Sequence, residues 1–451
     1  MASISIIHFL LISLFCSFLL VSSSHQQQPY PKPKPSHQQP PYSKSKPNLL
    51  VLPVQQDAST GLHWANIHKR TPLMKIPVLL DLNGQHLWVN CDQHYSSSTY
   101  KAPFCHSTQC SRANANTCHT CVTSTADRPG CHNNTCALMS ANPVTQQTAM
   151  SELAQDVLAI YATNGPKIGP MVTIPQFLFS CAPSFLTQKG LPNNVQGVAG
   201  LAHSQISLQN QLSSHFGLQR QFTMCLSRYP NSKGAILFGD APNNMHFGQG
   251  NNYNTKNIPN IFNNLAYTPL TTNQQGEYRM HVTSIRINQH TVVPVSGSML
   301  SNYPEGVMGG TLISTAIPYT ILQHSLFEAF IQVVGKQYPK QAQVNAVAPF
   351  GMCFDSKKIN QALNVEFVMD KPNVVWRISG DNLMVQPQNG VSCLAFVNGG
   401  LHPKAAITIG SHQLEENLLM FDLAKSMLGF SNSLNSHGMK CSDLFDFTNA
   451  P

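Results

Sequence analysis

Apolar and polar residues alternate along most of this chain in short runs that Gly, Pro and Asn interrupt, a pattern typical of β-strands. Helical periodicity is confined to three stretches, at 209–216, 324–339 and 413–423. The pattern therefore predicts a mainly β protein with a few short helices. The clearest predicted strands are "MVTIPQFLFSC", "GAILFGD", "LAYTPL", "HVTSIRINQHTVVPV", "EFVMD" and "VVWRIS".

The stretch "PVLLDLNGQHLWVNC", at 77–91, has a distinctive form. An apolar run typical of a buried strand ends at Asp81, a turn follows, and a second strand begins. A carboxylate at the end of a buried strand is a candidate catalytic group, because burial and neighbouring donors can set its pKa.

A related arrangement recurs in the second half of the chain. The first half combines the strand ending at Asp81 with "GVAGLAHSQISL" at 197–208. The second half combines "GGTLISTAIPYTIL" at 309–322 with "AAITIGSHQLEENLLMFD" at 405–422. Such internal similarity indicates a duplication. It predicts two similar β lobes around a cleft, an N-terminal lobe at 49–250 and a C-terminal lobe at 251–451.

The first 48 residues differ from the rest. Residues 1–24 contain an apolar run of secretory length that ends in small residues, which predicts a cleaved signal peptide rather than a membrane anchor. Residues 25–48 contain seven prolines and four lysines with almost no aliphatic side chains, which predicts an extended, flexible arm. The remaining four hundred or so residues exceed one typical core, consistent with two lobes.

The composition limits the classes of function. Charged residues make up 10% of the chain, its net charge is +8, and no block of Lys and Arg lies in the folded part. This scattered charge argues against nucleic acid as a partner. Asn and Gln number 71, which suits a nitrogen reserve. The alternative is a surface whose polarity comes from amides, and composition does not separate the two.

The cysteines predict a disulfide framework. Of thirteen, Cys16 leaves with the signal peptide, and the other twelve predict six disulfides in a secreted chain. Six of them crowd into a predicted loop at 105–136. The "CHTC" in this loop could form a zinc site, but a disulfide-bonded loop is favoured because oxidised sulfurs are not thiolate ligands. The loop also contains the glycosylation sequon Asn133-Asn134-Thr135.

The two strand-turn motifs and the two apolar-apolar-Gly segments resemble the bilobal pepsin-like aspartic protease fold over nearly all of residues 49–445. "STGLHWANIHKRTPL", "APFCHSTQCSRA", "PQFLFSCAPSFL" and "QLEENLLMFDLAKSMLGFS" more closely resemble the legume gamma-conglutins, or basic 7S globulins. Plant extracellular inhibitors of xylanases and xyloglucanases are relatives in that family.

The resemblance implies that the catalytic site is vestigial. Aspartic proteases use two carboxylates that share a proton, and Asp81 matches the first of them. Ser314 stands where the second belongs, and serine does not ionise near working pH. Asn142 and Pro143 lie around the position of the flap tyrosine. We therefore expect no peptidase activity, and a structural role for Asp81 in holding its own turn.

The resemblance also implies proteolytic processing, at the Ser/Gly/Pro-containing break 294–309. The smaller chain would contain three cysteines, so at least one must bridge to the larger chain. The pairs that the resemblance implies are Cys91–Cys181, Cys105–Cys118, Cys110–Cys136, Cys121–Cys131, Cys225–Cys441 and Cys353–Cys393.

Two functions stay open at this stage. The first is a seed storage or stress-released globulin, and the second is an extracellular inhibitor of fungal glycoside hydrolases. In inhibitor relatives, loops of the C-terminal half insert basic or imidazole side chains between the enzyme's two acidic catalysts. The comparable loops, at 339–350 and 398–407, offer Gln343, His402 and Lys404. Lysine lacks the planar fork of arginine, so storage is favoured.

Further expectations concern partners and location. The family resemblance implies a homo-oligomer, and the nineteen histidines, which gain charge below about pH 6.5, predict that its assembly depends on pH. Glycoside hydrolases or other proteins are the candidate partners, and neither nucleic acid nor a membrane is expected. No motif predicts a cofactor or a metal. The predicted location is the extracellular space or a storage compartment of the secretory pathway.

Overall fold

A computed structural model describes most of the chain, in these segments: 46–92, 94–121, 127–165, 167–240, 261–301, 309–359 and 363–444. The predicted signal peptide, most of the predicted arm and the predicted lobe boundary at 250/251 lie outside the described residues. So does the central part, 302–308, of the predicted processing loop. These assignments stay predictions.

Short strands dominate both halves of the described chain, so the predicted mainly β fold is confirmed. The strands of the first half are β1 (Leu49–Gln56), β2 (His63–Lys69), β3 (Met74–Asp81), β4 (Trp88–Asn90), β5 (Thr117–His119), β6 (Thr135–Ala141), β7 (Thr148–Thr163), β8 (Ile168–Ala182), β9 (Gly197–Gly200), β10 (Gln221–Cys225) and β11 (Gly234–Gly239).

The second half has the same character. Its strands are β12 (Ala266–Thr272), β13 (Tyr278–Met280), β14 (Val282–Ile287), β15 (Thr291–Val292), β16 (Thr311–Ile313), β17 (Thr320–Leu322), β18 (Gln343–Val344), β19 (Cys353–Asp355), β20 (Asn364–Met369), β21 (Val375–Ser379), β22 (Met384–Gln388), β23 (Val391–Leu394), β24 (Phe396–Asn398), β25 (Ile407–Ile409), β26 (Leu418–Asp422) and β27 (Met427–Phe430).

The helices of the described chain are short, and none combines the length and apolar character needed to cross a membrane. The α-helices are α1 (Thr108–Arg112), α2 (Leu208–Phe216), α3 (Gly297–Leu300), α4 (His324–Gly335) and α5 (Ser411–Leu414). The 3₁₀ turns are Ser184–Thr187, Ile261–Asn264, Lys340–Ala342, Gly380–Asn382, Leu434–His437 and Cys441–Asp443.

Two of the three predicted helices form and the third does not. Helix α2 ends at Gly217, whose φ of 73° suits a glycine cap. Helix α4 begins at His324 and stops four residues earlier than the periodicity predicts. The helix predicted over 413–423 is wrong, because only its first residues belong to α5 and Leu418–Asp422 forms β26.

The predicted duplication is visible in the strand pairing. In the first half, β3 runs parallel to β9, while β4 runs parallel to β8 and antiparallel to β9. In the second half, β16 runs parallel to β25, while β17 runs parallel to β24 and antiparallel to β25. The same arrangement therefore occurs twice, and Asp81 and Ser314 follow equivalent strands.

A central sheet joins the two halves. Its strands follow the order β1, β11, β10, β26, β27 and β12, in which β10 of the first half pairs with β26 of the second. Phe222 on β10 lies opposite Phe421 on β26, and their rings stack with centroids 4.5 Å apart. Both rings are fully buried, so one apolar core continues across the junction. Strands of the second half also form two four-stranded sheets: β15-β14-β20-β21 and β18-β19-β23-β22.

The prediction of six disulfides is confirmed. The structure joins the cysteines in the pairs that the family resemblance implies: Cys91–Cys181, Cys105–Cys118, Cys110–Cys136, Cys121–Cys131, Cys225–Cys441 and Cys353–Cys393. The three that lie wholly within 105–136 knit that loop together. Cys225–Cys441 fastens β10 to the C-terminal end of the described chain.

Candidate functional site

Strand β3 delivers Asp81 to the floor of a cleft. Residues Val78, Leu79 and Leu80 are fully buried, which explains the continuous apolar run before the carboxylate. Asp81 is only 6% exposed. Its Oδ1 accepts a hydrogen bond of 2.9 Å from the backbone N–H of Asn83, and its carbonyl accepts one from Gly84. The carboxyl group thus braces its own turn, with the backbone N–H groups of Asn83 and Gly84 as its hydrogen-bond donors.

Ser314 occupies the equivalent place after β16. It is 2% exposed, and its Oγ accepts a hydrogen bond of 3.2 Å from the backbone N–H of Ala316. Its own N–H donates to the carbonyl of Ile409 on the parallel strand β25. Asp81 and Ser314 line the same cleft, so the structure brings the two predicted vestigial positions together.

The two turns are tied directly to each other. The buried Thr315 hydroxyl donates to the carbonyl of Leu80 at 2.8 Å and accepts from the N–H of Leu82 at 3.1 Å. In the opposite direction, the Asn83 side-chain amide donates to the carbonyl of Ile313 at 3.2 Å. Sequence reasoning missed both contacts, although Thr315 directly follows Ser314 in the motif.

Close packing of two glycines completes the floor. A Cβ on Gly200 would lie 2.3 Å from the carbonyl oxygen of Gly84, so glycine is required where the turn meets β9. A Cβ on Gly84 would in turn lie 3.1 Å from Oδ2 of Asp81. Gly84 and Gly200 thus permit a close approach between the backbones of the turn and β9.

A hairpin formed by β6 and β7 supplies one wall of the cleft through Met139, Ala141, Pro143 and Gln146. Asn142, at the predicted flap position, is fully buried. Its amide nitrogen donates to the carbonyls of Leu186 and Lys189, and its side-chain oxygen accepts from the N–H groups of Val144 and Thr145. The side chain therefore anchors the hairpin from beneath and does not reach over the cleft.

The cleft encloses about 330 Å³. Burial raises the pKa of Asp81 to about 6, and the nearby Glu277 carboxylate adds to this effect. Burial also lowers the pKa of His86, which lines the cleft, to about 4. The Nε2 of His86 lies 2.9 Å from the hydroxyl of Ser180. Both buried groups are thus biased towards their uncharged forms.

The three residues predicted for partner binding separate in the structure. Lys404 lines the cleft, and its Nζ lies 3.7 Å from a carboxylate oxygen of Glu277. The amide nitrogen of Gln343 donates to the carbonyl of Gly335 at 3.1 Å. His402 is exposed. Among the described residues, the cleft lining includes Lys404 but neither Gln343 nor His402, so they do not form one site.

The disulfide-rich loop presents the predicted sequon at the surface. Asn133 is exposed, whereas Thr135 is buried at the start of β6. Glycosylation of Asn133 stays a prediction. Cys118 and Cys121 of the "CHTC" motif are both in disulfides. Their sulfurs are therefore not thiolate ligands in this structure.

Comparison with known proteins places this architecture in a class. The family model of the xylanase inhibitor N-terminal domain matches residues 64–240, and that of the C-terminal domain matches residues 277–432. The class is that of plant proteins with the pepsin-like fold, which the structural relatives also share.

The relatives with high sequence identity narrow this class to one family. Gamma conglutin 2 of Lupinus angustifolius is 63% identical over 452 residues, covering 99% of this chain and 98% of the relative. Basic 7S globulin of Glycine max is 61% identical over 451 residues, covering 99% and 100%. The crystal structure of conglutin gamma from lupine seeds matches with a TM-score of 0.81 and 63% identity, over 90% of this chain and 100% of that one. The chain belongs to the family of gamma conglutins and basic 7S globulins.

Proposed function

We propose that this protein is a catalytically inactive seed storage globulin built on the aspartic protease fold. The observation that carries the proposal is the pairing of Asp81 with Ser314 on the cleft floor. Peptide hydrolysis on this fold needs one carboxylate to take a proton from water while another polarises the scissile carbonyl. A serine hydroxyl supplies neither function at working pH.

The flap supports the same proposal. In the turn between β6 and β7, residues 142–147 include no tyrosine, and Asn142 is committed to four hydrogen bonds beneath the hairpin. Covering the substrate excludes water and completes a catalytic site. The side chain at this position is buried away from the cleft, so it offers a substrate no contact.

The amino-acid composition and the related proteins support a storage function. The 71 amide side chains and the six disulfides hold nitrogen and sulfur in a compact fold. The related conglutin gamma is a basic 7S globulin from lupine seeds. We infer that this chain likewise accumulates in a storage compartment of the secretory pathway, with release under stress as part of the same proposal.

Inactivity is tested by incubating the purified protein with an unfolded protein substrate at pH 3 to 5. We expect no cleavage above the level given by an Asp81→Asn variant prepared in the same way, because that variant identifies contaminating protease. Cleavage that a transition-state peptide inhibitor blocks, and that Asp81→Asn lacks, would contradict the proposal.

Inhibition of fungal glycoside hydrolases is the second candidate function, favoured by the match to the xylanase inhibitor family models. The contacts of the candidate loops weaken it, because Lys404 is paired with Glu277 and Gln343 is bonded to its own chain. An assay against fungal xylanases and xyloglucanases separates the candidates. Nanomolar inhibition would make inhibition the favoured function. No inhibition up to micromolar concentrations would leave storage as the favoured function.

Assembly into a homo-oligomer that depends on pH belongs to the same proposal. It rests on the nineteen histidines, whose collective charge rises on acidification. Sedimentation at pH 4.5 and 7.5 checks it, with different species expected at the two values. One unchanged species would remove the proposal.

A further inference from the structure

Without a second carboxylate, Asp81 lacks a group that could share its proton, and in the described part of the chain it also has no ion-pair partner. The side chain is 6% exposed and lines the cleft, and its carboxyl accepts hydrogen bonds only from the backbone N–H groups of Asn83 and Gly84 among the described residues. No ion pair joins Asp81 to a cation in that part of the chain. A buried carboxylate without a partner is costly, so a ligand that supplies positive charge gains free energy here.

The other charged residues that line the cleft do not neutralise the Asp81 carboxylate. Lys404 and Glu277 form a pair at its rim, with 3.7 Å between Nζ and Oε1, so their charges largely cancel. His86 contributes no positive charge near neutral pH, because burial lowers its pKa to about 4. The described residues that line the cleft therefore carry one uncompensated negative charge when Asp81 is ionised.

The walls favour an apolar body behind the charged group. Trp88, Met139, Val198, Leu312 and Ile317 line the cleft. Its volume of about 330 Å³ suits a ligand with a single ring or a short alkyl stem. Ser314 lines the same cleft, and its Oγ offers a second acceptor, since a hydroxyl oxygen has two lone pairs and Ala316 N–H occupies one.

We propose that the vestigial cleft is a binding site for an organic cation, an amidinium or guanidinium group on an apolar stem. The cation donates to Oδ2 of Asp81 and to Oγ of Ser314, and the stem packs against Leu312 and Met139. A planar cation with several N–H donors suits two neighbouring acceptors better than a compact ammonium does. This site is independent of whether the protein serves storage or inhibition.

The test compares two probes of nearly equal shape, benzamidine and benzamide, on the full-length secreted protein. Benzamidine is cationic and benzamide neutral, so their difference in affinity isolates the charge. By isothermal titration at pH 7.5, we expect benzamidine to bind at least about tenfold more tightly. At pH 4.5 that preference should fall by at least about tenfold, because Asp81 is then mostly protonated.

Variants assign the preference to one residue. Asp81→Asn should bring the two probes to equal affinity, whereas Asp355→Asn, outside the cleft lining, should leave the preference unchanged. Lys404→Met should raise benzamidine affinity about threefold by removing a like charge from the rim. Equal affinity of both probes for the unmodified protein at pH 7.5, or a preference that survives Asp81→Asn, would overturn the proposal. The comparison on the unmodified protein decides the matter even if a variant fails to fold.

Discussion

Thr315 does more to hold the cleft floor together than the carboxylate beside it. Its hydroxyl bonds to both Leu80 and Leu82, while Asp81 bonds mainly within its own turn. The contact joins residues 233 and 235 positions apart in sequence. The hydroxyl next to Ser314 thus fixes the two turns to each other.

Thr315→Val tests this structural role. Valine has nearly the same shape, so the change leaves the N–H of Leu82 and the carbonyl of Leu80 buried without that partner. We expect the free energy of unfolding to fall by about 3 kcal/mol, measured by urea denaturation at pH 7. The exposed Thr271→Val in β12 is the control and should change stability by less than about 0.5 kcal/mol. Equal losses in both variants would contradict the role given to Thr315.

The raised pKa of Asp81 predicts that the stability of the protein depends on pH in a particular way. Its pKa in the folded protein is raised from 3.8 to about 6, so the folded state binds more protons than the unfolded state between those values. Its contribution to stability is therefore fully present below pH 4 and is lost as the pH rises through 6.

Asp81→Asn should remove this loss while keeping a side-chain oxygen as acceptor for Asn83. Relative to the unmodified protein, the variant should gain about 2.4 kcal/mol in unfolding free energy between pH 4 and pH 7. Urea denaturation at both pH values measures the difference. A constant difference would mean that Asp81 ionises as readily in the folded protein as in the unfolded chain.

At the residue scale, motif comparison was enough to predict that Asp81 and Ser314 would face one cleft. It could not place Lys404 there, because the contact with Glu277 depends on how two loops 127 positions apart fold back on the sheet. The amide of Asn83 was equally hidden, since nothing local indicates that it reaches Ile313. A local sequence pattern predicts which group lies on a turn, but it does not predict contacts that depend on the tertiary fold.

Among the elements, the β6–β7 hairpin depends on one buried amide. Asn142 provides two donors and one oxygen that accepts twice, and all four bonds hold the turn onto neighbouring backbone. The hairpin is therefore fixed at its tip, where a protease flap has to move.

Asn142→Ala should release that tip. We expect hydrogen exchange at the amides of Val144 and Thr145 to accelerate at least about tenfold, because both lose their side-chain acceptor. The exposed Gln147→Ala in the same turn is the matched control and should leave those rates within about twofold. Unchanged exchange in Asn142→Ala would mean that the backbone alone holds the turn.

Strand β26 shows why helical spacing in the sequence predicted the wrong element at 413–423. The sequence "QLEENLLMFDL" has helical spacing, yet Leu418–Asp422 pairs with β10 on one side and β27 on the other. Glu416, with a φ of 52°, ends the helical turn, and burial on both faces then favours a continuous apolar strand. Strand β21, in which half-buried and buried residues alternate, was predictable because its own pattern determines which face is buried.

At the scale of the molecule, the central sheet and Cys225–Cys441 bind the two halves together. The predicted processing loop at 294–309 lies between these linked positions in sequence. A cut there should separate the protein into two bands on a reducing gel and leave one band without reductant. Reductant-independent separation would show that the bond is absent in solution, and one band under both conditions would show that the chain is uncut.

The pairing of β10 with β26 has a consequence for the life of a processed molecule. Before the cut, these neighbouring strands belong to one chain and find each other in a first-order reaction. After the cut and full reduction, they belong to two chains, so reassembly becomes second order and slows on dilution. Once it is cut and fully reduced, the protein therefore does not readily refold after unfolding. Efficient folding depends on the uncut precursor, in which both strands belong to one chain.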